Sequence, residues 1–186
     1  MPAQVLIEVS ARHCHLSKTD VEKLFGPGHQ LPPYKPLSQP GQFACHETVT
    51  VKTEAGSLER IRVLGPARDI TQVELAVTDA RKLKIKPVYR QSGSIDATPG
   101  ATLIGPKGEV KMEKGVIIAL RHVHVDPATA EQLKLKDKSM IKVRTVGERA
   151  VVFENVLVRV HKDFAFAMHI DTDEGNAALI DGGSCQ

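Results

Sequence analysis

Apolar residues in this 186-residue chain recur mostly at every second position, in short β-branched runs cut off by Gly, Pro or Asp. That period puts alternate side chains on opposite faces of a strand and does not build an amphipathic helix. Such runs cover residues 4–10, 48–53, 61–64, 72–77, 116–120, 140–145 and 150–160. Many short strands predict a mainly β fold of small barrels or a sandwich. Helical patterns are few. One spans 18–24 behind Ser17 as N-cap, a second spans 127–133 behind Asp126 with Pro127 at the first helical position, and a short turn is expected near 175–179.

The two helices expose an internal repeat. Arg12-His13-Cys14-His15-Leu16 leads into the first and Arg121-His122-Val123-His124-Val125 into the second, at an offset of 109 residues throughout. Each copy continues through strands to a segment holding a Thr-Asp pair, Thr78-Asp79 and Thr172-Asp173. The expectation is two small β-barrel domains from an internal duplication, capped by short α-helices, with the active site between the repeats. Residues 1–91 form the first repeat, 92–115 a Gly/Pro-rich connector around Gly105-Pro106-Lys107-Gly108, and 116–186 the second repeat, with exchange of strands between barrels allowed.

Composition narrows the function. Aromatics are only 4% with no Trp, so the core must be built from Val, Ile and Leu, while eight histidines supply the commonest metal ligand. A net charge of +3 from scattered Lys and Arg, without stacking platforms, excludes a nucleic-acid partner. No window approaches the roughly 20 apolar residues of a membrane span, and the first residues do not read as a secretory leader, so a cytoplasmic protein without a membrane partner is expected. Cys14, Cys45 and Cys185 are odd in number and dispersed, which predicts free thiols in a reducing compartment. Oligomeric state is left open, a homo-oligomer included.

Two histidines at i and i+2 on a strand project from one face, so their rings can converge on one ion while Cys14 or Val123 points the other way. A single such pair arises easily by chance at this histidine content; two copies, each preceded by Arg and followed by a capped helix, do not. A third donor is available in each repeat. Glu74 shares a face with Gln72 and Ala76, and His169 shares one with Ala165 and Ala167. Three N/O donors with an open position is the pattern of a catalytic zinc site, whereas a closed structural site more often recruits cysteines. His29, His46 and His161 lack this context and read as surface or supporting imidazoles. Arg68, Arg159, Gln39 and Gln42 lie close in sequence to these donors or to Pro-Gly turns, and guanidinium and amide donors beside divalent ions suit a phosphate oxygen.

These residues carry a resemblance to the PduL-type phosphate acyltransferases (phosphate propanoyltransferases). It covers nearly the whole chain and rests on Ser10-Ala11-Arg12-His13-Cys14-His15-Leu16-Ser17, Leu37-Ser38-Gln39-Pro40-Gly41-Gln42-Phe43, Val63-Leu64-Gly65-Pro66-Ala67-Arg68, Arg90-Gln91-Ser92-Gly93, Gly105-Pro106-Lys107-Gly108, Gly115-Val116-Ile117-Ile118-Ala119-Leu120-Arg121-His122-Val123-His124 and Asp171-Thr172-Asp173-Glu174-Gly175-Asn176-Ala177-Ala178. The resemblance implies reversible transfer of a short acyl group, propanoyl or acetyl, between coenzyme A and inorganic phosphate at a site of two Zn²⁺ or other divalent ions. It implies that His122 and His124 share one ion with Glu74, and that His13 and His15 share the other with His169. Arg68 and Arg159 take the catalytic role, and Gln39, Gln42, Gln72 and Ser92 the phosphate-binding one. Members that enter bacterial microcompartments carry an N-terminal extension of roughly 20 residues of the kind that docks on partner surfaces; here the first strand begins near residue 4, so the expectation is either a member free in the cytoplasm or one whose N-terminus has been trimmed, with microcompartment partners disfavoured. After Thr78-Asp79-Ala80, where an aromatic is expected to help hold coenzyme A, this chain has Arg81, whose guanidinium plane can stack on adenine.

The charges point to direct attack by phosphate on the thioester with no side-chain nucleophile, since Cys14 points away from its flanking ligands and no Ser/His/Asp order stands out; an acyl-cysteine route through Cys14 is the minor alternative. From the residues alone two other readings stay open, a zinc hydrolase and a non-enzymatic cupin-like metal module. A (β/α)₈ amidohydrolase needs about 250 residues, and a cupin leaves the arginines and glutamines idle.

Overall fold

The computed structural model describes residues 3–180. In chain order these form β1 (Leu6–Ser10), β2 (His13–His15), α1 (Lys18–Phe25), β3 (Pro33–Pro36), β4 (Phe43–Thr53), β5 (Gly56–Gly65), β6 (Gln72–Glu74), α2 (Val77–Lys82), β7 (Tyr89–Arg90), β8 (Ala101–Ile104), β9 (Glu109–Met112), β10 (Val116–Ala119), β11 (His122–Val125), α3 (Pro127–Gln132), β12 (Met140–Arg144), β13 (Val152–Val160), β14 (Ala167–Asp171) and α4 (Thr172–Ala178). The fold is mainly β with a curled half-barrel sheet and a few short helices. No helix among the described residues is long and apolar enough to cross a membrane.

The chain divides into two compact units. The early unit, Arg12–Leu37 with Gly41–Ala119, holds a nine-stranded sheet ordered β7-β10-β6-β2-β5-β4-β8-β9, with β3 paired on β4. Its core is Leu16, Leu24, Ile61, Val63, Leu103 and Ile118 with their neighbours. The late unit, Met1–Ala11 and Ser38–Pro40 with Leu120–Gln186, holds a five-stranded sheet ordered β1-β14-β11-β13-β12 around Val123, Val125, Val156, Val158, Met168 and Ile170. Both cores are mainly aliphatic, as the shortage of aromatics leads one to expect, with Phe153 buried in the late one.

Local sequence explains the elements that position the histidines. Ser17 caps α1 by accepting from the Asp20 N–H at 3.2 Å, and α1 buries Val21 and Leu24. Asp126 caps α3 through the N–H groups of Ala128 and Thr129, with Pro127 at the first helical position. In both sheets the His-x-His strand lies between a parallel neighbour and an antiparallel one: β2 between β5 and β6, β11 between β13 and β14. The registers match as well, since His13 faces Glu74 and His122 faces His169.

Three expectations are corrected. The 92–115 connector is no linker: alternation in Ala101-Thr102-Leu103-Ile104 and Val110-Lys111-Met112 builds the β8–β9 hairpin, whose Leu103, Val110 and Met112 enter the early core. The boundary falls near residue 120, beyond the expected connector, while β1 joins the late sheet through parallel pairing to β14, an exchange of the kind the sequence reading allowed. The 72–77 strand stops at Glu74, because Ala76 becomes the N-cap of α2. The turn near 175–179 is the C-terminal part of α4, started by an Asp171–Glu174 capping box.

Candidate metal centres

In the early unit, β2 turns Cys14 into the core and His13 and His15 to the opposite face, where the antiparallel partner β6 presents Glu74. Glu74 Oε2 lies 3.6 Å from His13 Nε2, and Glu74 Oε1 lies 3.9 Å from His15 Nε2. The three donor atoms fall within 4.8 Å of one another. The carboxylate is held from behind. Gln72 Nε2 and Ser92 Oγ each donate to Glu74 Oε1 at 2.7 Å, and the Gly93 N–H donates to Gln72 Oε1 at 2.7 Å. Gly93 sits at φ +97°, a conformation that side chains rarely tolerate. Burial, with the His13 ring and the Arg68 guanidinium adding, pushes His15 down to about 3 against the pull of Glu74.

In the late unit, His122 and His124 of β11 meet His169 of β14, again with donor atoms within 4.8 Å. With its proton on Nδ1, His122 donates to the Leu120 carbonyl at 2.7 Å, which leaves Nε2 to face a metal. Gln39 Nε2 lies 3.3 Å from His169 Nε2, and Glu8 Oε2 lies 3.6 Å from His169 Nδ1. Burial, then the two neighbouring imidazoles and Arg159, pushes His124 down to about 2.

A divalent ion fits both groups. Both ring nitrogens of His124, and Nδ1 of His15, are buried without a hydrogen-bond partner. A buried polar nitrogen left so is costly, and coordination would satisfy one on each ring. The lowered histidines are neutral at pH 7, as ligands must be. The grouping differs from the crosswise sharing that the resemblance implies. Each third donor comes from the same sheet as its His-x-His pair, because the registers set them directly opposite.

The remaining expected residues divide. Arg68 acts electrostatically on His15, and its N–H donates to the Leu16 carbonyl at 2.8 Å. Arg159 is the register partner of His124, with its guanidinium 5.5 Å from the Phe164 ring centroid. Gln39 is buried and exchanges two hydrogen bonds with the Ala165 backbone, at 3.1 and 3.2 Å. Gln42 is half-buried in the turn before β4, and Arg81 is exposed on α2. His29 pairs with Glu47 at 2.8 Å, His46 lies against the Tyr34 ring, and His161 is exposed. Cys14 and Cys45 are free thiols, and Cys185 lies outside the described residues. Burial pushes the Cys14 thiol far above the ordinary thiol range, which disfavours the thiolate form. Sequence reasoning missed Glu8. Its signal was a lone carboxylate inside the apolar run Leu6-Ile7-Glu8-Val9.

Comparison with known proteins shows the family. The chain is 50% identical over 180 residues to the phosphate propanoyltransferase of Thermotoga maritima, covering 96% of this chain and 86% of that protein. It is 52% identical over 179 residues to that of Rhodopseudomonas palustris, with coverage of 96% and 79%, and 51% identical over 179 residues to that of Priestia megaterium, with coverage of 96% and 82%. A family model described as phosphate propanoyltransferase matches residues 6–181, so both triads and their supporting residues fall inside the matched span and the chain belongs to the phosphate propanoyltransferase family of acyltransferases.

Proposed function

We propose that this acyltransferase exchanges a short acyl group, propanoyl or acetyl, between coenzyme A and inorganic phosphate, with a divalent ion, zinc as first choice, held in each triad so that two ions serve one reaction. The observation that carries this is the pair of three-donor groups, the early one buried and the late one half-buried around a buried His124, each with an unpartnered imidazole nitrogen and an arginine beside its inner histidine. His13, His15 and Glu74 hold one ion, and His122, His124 and His169 the other. Bound there, divalent ions supply Lewis-acid charge to phosphoryl and carbonyl oxygens.

The protein's own groups do the rest. Arg68 and Arg159 bind phosphate with paired N–H donors and orient one oxygen toward the thioester carbonyl carbon. That oxygen forms a C–O bond, the C–S bond breaks, and coenzyme A leaves as the thiolate with the electron pair; acyl phosphate is the other product. Gln42 is assigned to phosphate directly. Gln72 and Ser92, whose donors go to Glu74, act on phosphate through that carboxylate, and Gln39 acts through His169. Arg81 is assigned to the adenine or a phosphate of coenzyme A.

The test is thiol release from propanoyl-CoA with and without phosphate, before and after chelation. Phosphate-dependent release that chelation abolishes and zinc restores is expected. Release without phosphate would make the protein a hydrolase, and full activity of metal-free protein would overturn the two-ion reading.

A further inference from the structure

The arginine in front of each His-x-His pair has a partner at the same relative place. Arg12 Nη1 donates to Asp79 Oδ1 at 3.1 Å, and Arg121 Nη1 donates to Glu174 Oε1 at 2.8 Å. Asp79 lies five residues after Glu74, and Glu174 five after His169. Each carboxylate is the third residue of the short helix that follows the third-donor strand, α2 after β6 and α4 after β14. The partners are sheltered: the Asp79 side chain is 6% exposed, and that of Glu174 is 21%.

We propose that Arg12 and Arg121 are positioning residues, each clamping the start of a His-x-His strand to the helix behind the third donor and so fixing the face on which three metal donors converge. The need for a clamp follows from strand length. β2 and β6 share only three register pairs, and so do β11 and β14. A slip of one residue would carry Glu74 or His169 to the core face now held by Val73 or Met168, and three pairs are a weak defence against it. A charge-assisted bond from a guanidinium to a sheltered carboxylate adds a tie at the end of each pair. Arg121 is further pinned by donation from Nε to the Glu154 carbonyl at 2.8 Å and by the Phe153 ring, 5.5 Å from its guanidinium. The helix termini differ, because α4 has a capping box and α2 starts at Ala76 with no side-chain cap, yet the clamp is the same.

This inference rests on the metal reading above, and the experiment separates the two. Zinc affinity is measured by competition with a chromophoric chelator in two single-site parents, His124→Ala, which retains the early triad, and His15→Ala, which retains the late one. Arg12→Met should weaken zinc binding about 10- to 100-fold in the first parent and leave the second unchanged; Arg121→Met should do the reverse. Arg12→Lys, which keeps the charge, should recover most of the loss, whereas Asp79→Ala, which removes the partner from the other side, should weaken the early site as Arg12→Met does and carries the test if the methionine variant does not fold. Affinities within about twofold of the matched parent, the ordinary additivity error, would overturn the clamp, as would equal losses in both parents. Absence of zinc binding by the parents themselves would overturn the metal reading and the clamp with it.

Discussion

The two triads use the same backbone device to different electrostatic ends. In each, a His-x-His strand has a parallel neighbour on one side and an antiparallel third-donor strand on the other, with the outer histidine facing the third donor. The early triad has its carboxylate among the donors, with Gln72 and Ser92 fixing it. The late triad is all imidazole, and its carboxylate, Glu8, stands one step back at His169 Nδ1. An ion among three neutral imidazoles keeps its full double charge, whereas one bound by Glu74 is partly neutralised. On the proposed two-ion reading the late triad would therefore be the stronger partner for an anion, and the early one the tighter holder of a cation. His124, with neither buried ring nitrogen hydrogen-bonded, is where a bound ion would relieve the most.

The sharpest way to break this comparison is to remove the inner histidine from each side. His15→Ala and His124→Ala should each lower acyl-phosphate formation by at least about a hundredfold, with one zinc equivalent lost by metal analysis. A variant that retained wild-type turnover would make its triad structural. A smaller effect reads the same two histidines without metal. Both have folded values below the unfolded value of about 6.5, so between them the unfolded chain binds more protons and stability rises with pH. Metal-free protein should hold this stability above pH 6.5 and lose it toward pH 3, by about 1.4 kcal/mol per pH unit for each group at most. His124→Ala should flatten the dependence of denaturant midpoint on pH at least as much as His15→Ala, since Glu74 offsets part of the shift only in the early triad. An unchanged slope in both variants would remove the buried neutral imidazoles from the account. The smallest effect concerns the residue between the ligands. Cys14→Ala, like its counterpart Val123 a core position, should leave turnover within about threefold and cost about 1 kcal/mol of stability. Near-complete loss of turnover with both ions still bound would overturn direct transfer.

The His-x-His pairs, Glu74 and His169 were legible in the sequence because alternation decides which side chains share a face, and that is a local property. The capped helices α1 and α3 were legible for the same reason, from Ser17 and Asp126. What alternation cannot state is which strand lies next to which. Glu74 and His169 each group with the His-x-His pair of their own sheet, where the resemblance implied crosswise sharing, because of register, a fact about pairing between distant segments. The β8–β9 hairpin was hidden because its Gly-Pro-Lys-Gly turn dominated a short stretch of alternation, and α2 because Ala76 is an N-cap without a side-chain signal. Glu8 could be seen but not interpreted until β1 was placed beside β14.

That placement has a consequence for how the chain is made. β1 leaves the ribosome before the other described strands, yet its partner β14 is the last of them, with Leu6 opposite Ala167. The early unit, nearly continuous in sequence, has all of its strands available long before then. Through that interval β1 is an apolar strand with unpaired edges, the kind of segment that seeds association between nascent chains. A carboxylate at its centre is a gatekeeper against such pairing. Glu8 thus guards the strand during synthesis and, once β14 arrives, becomes the charge behind His169, so Glu8→Val should show first as aggregation on refolding at rising protein concentration.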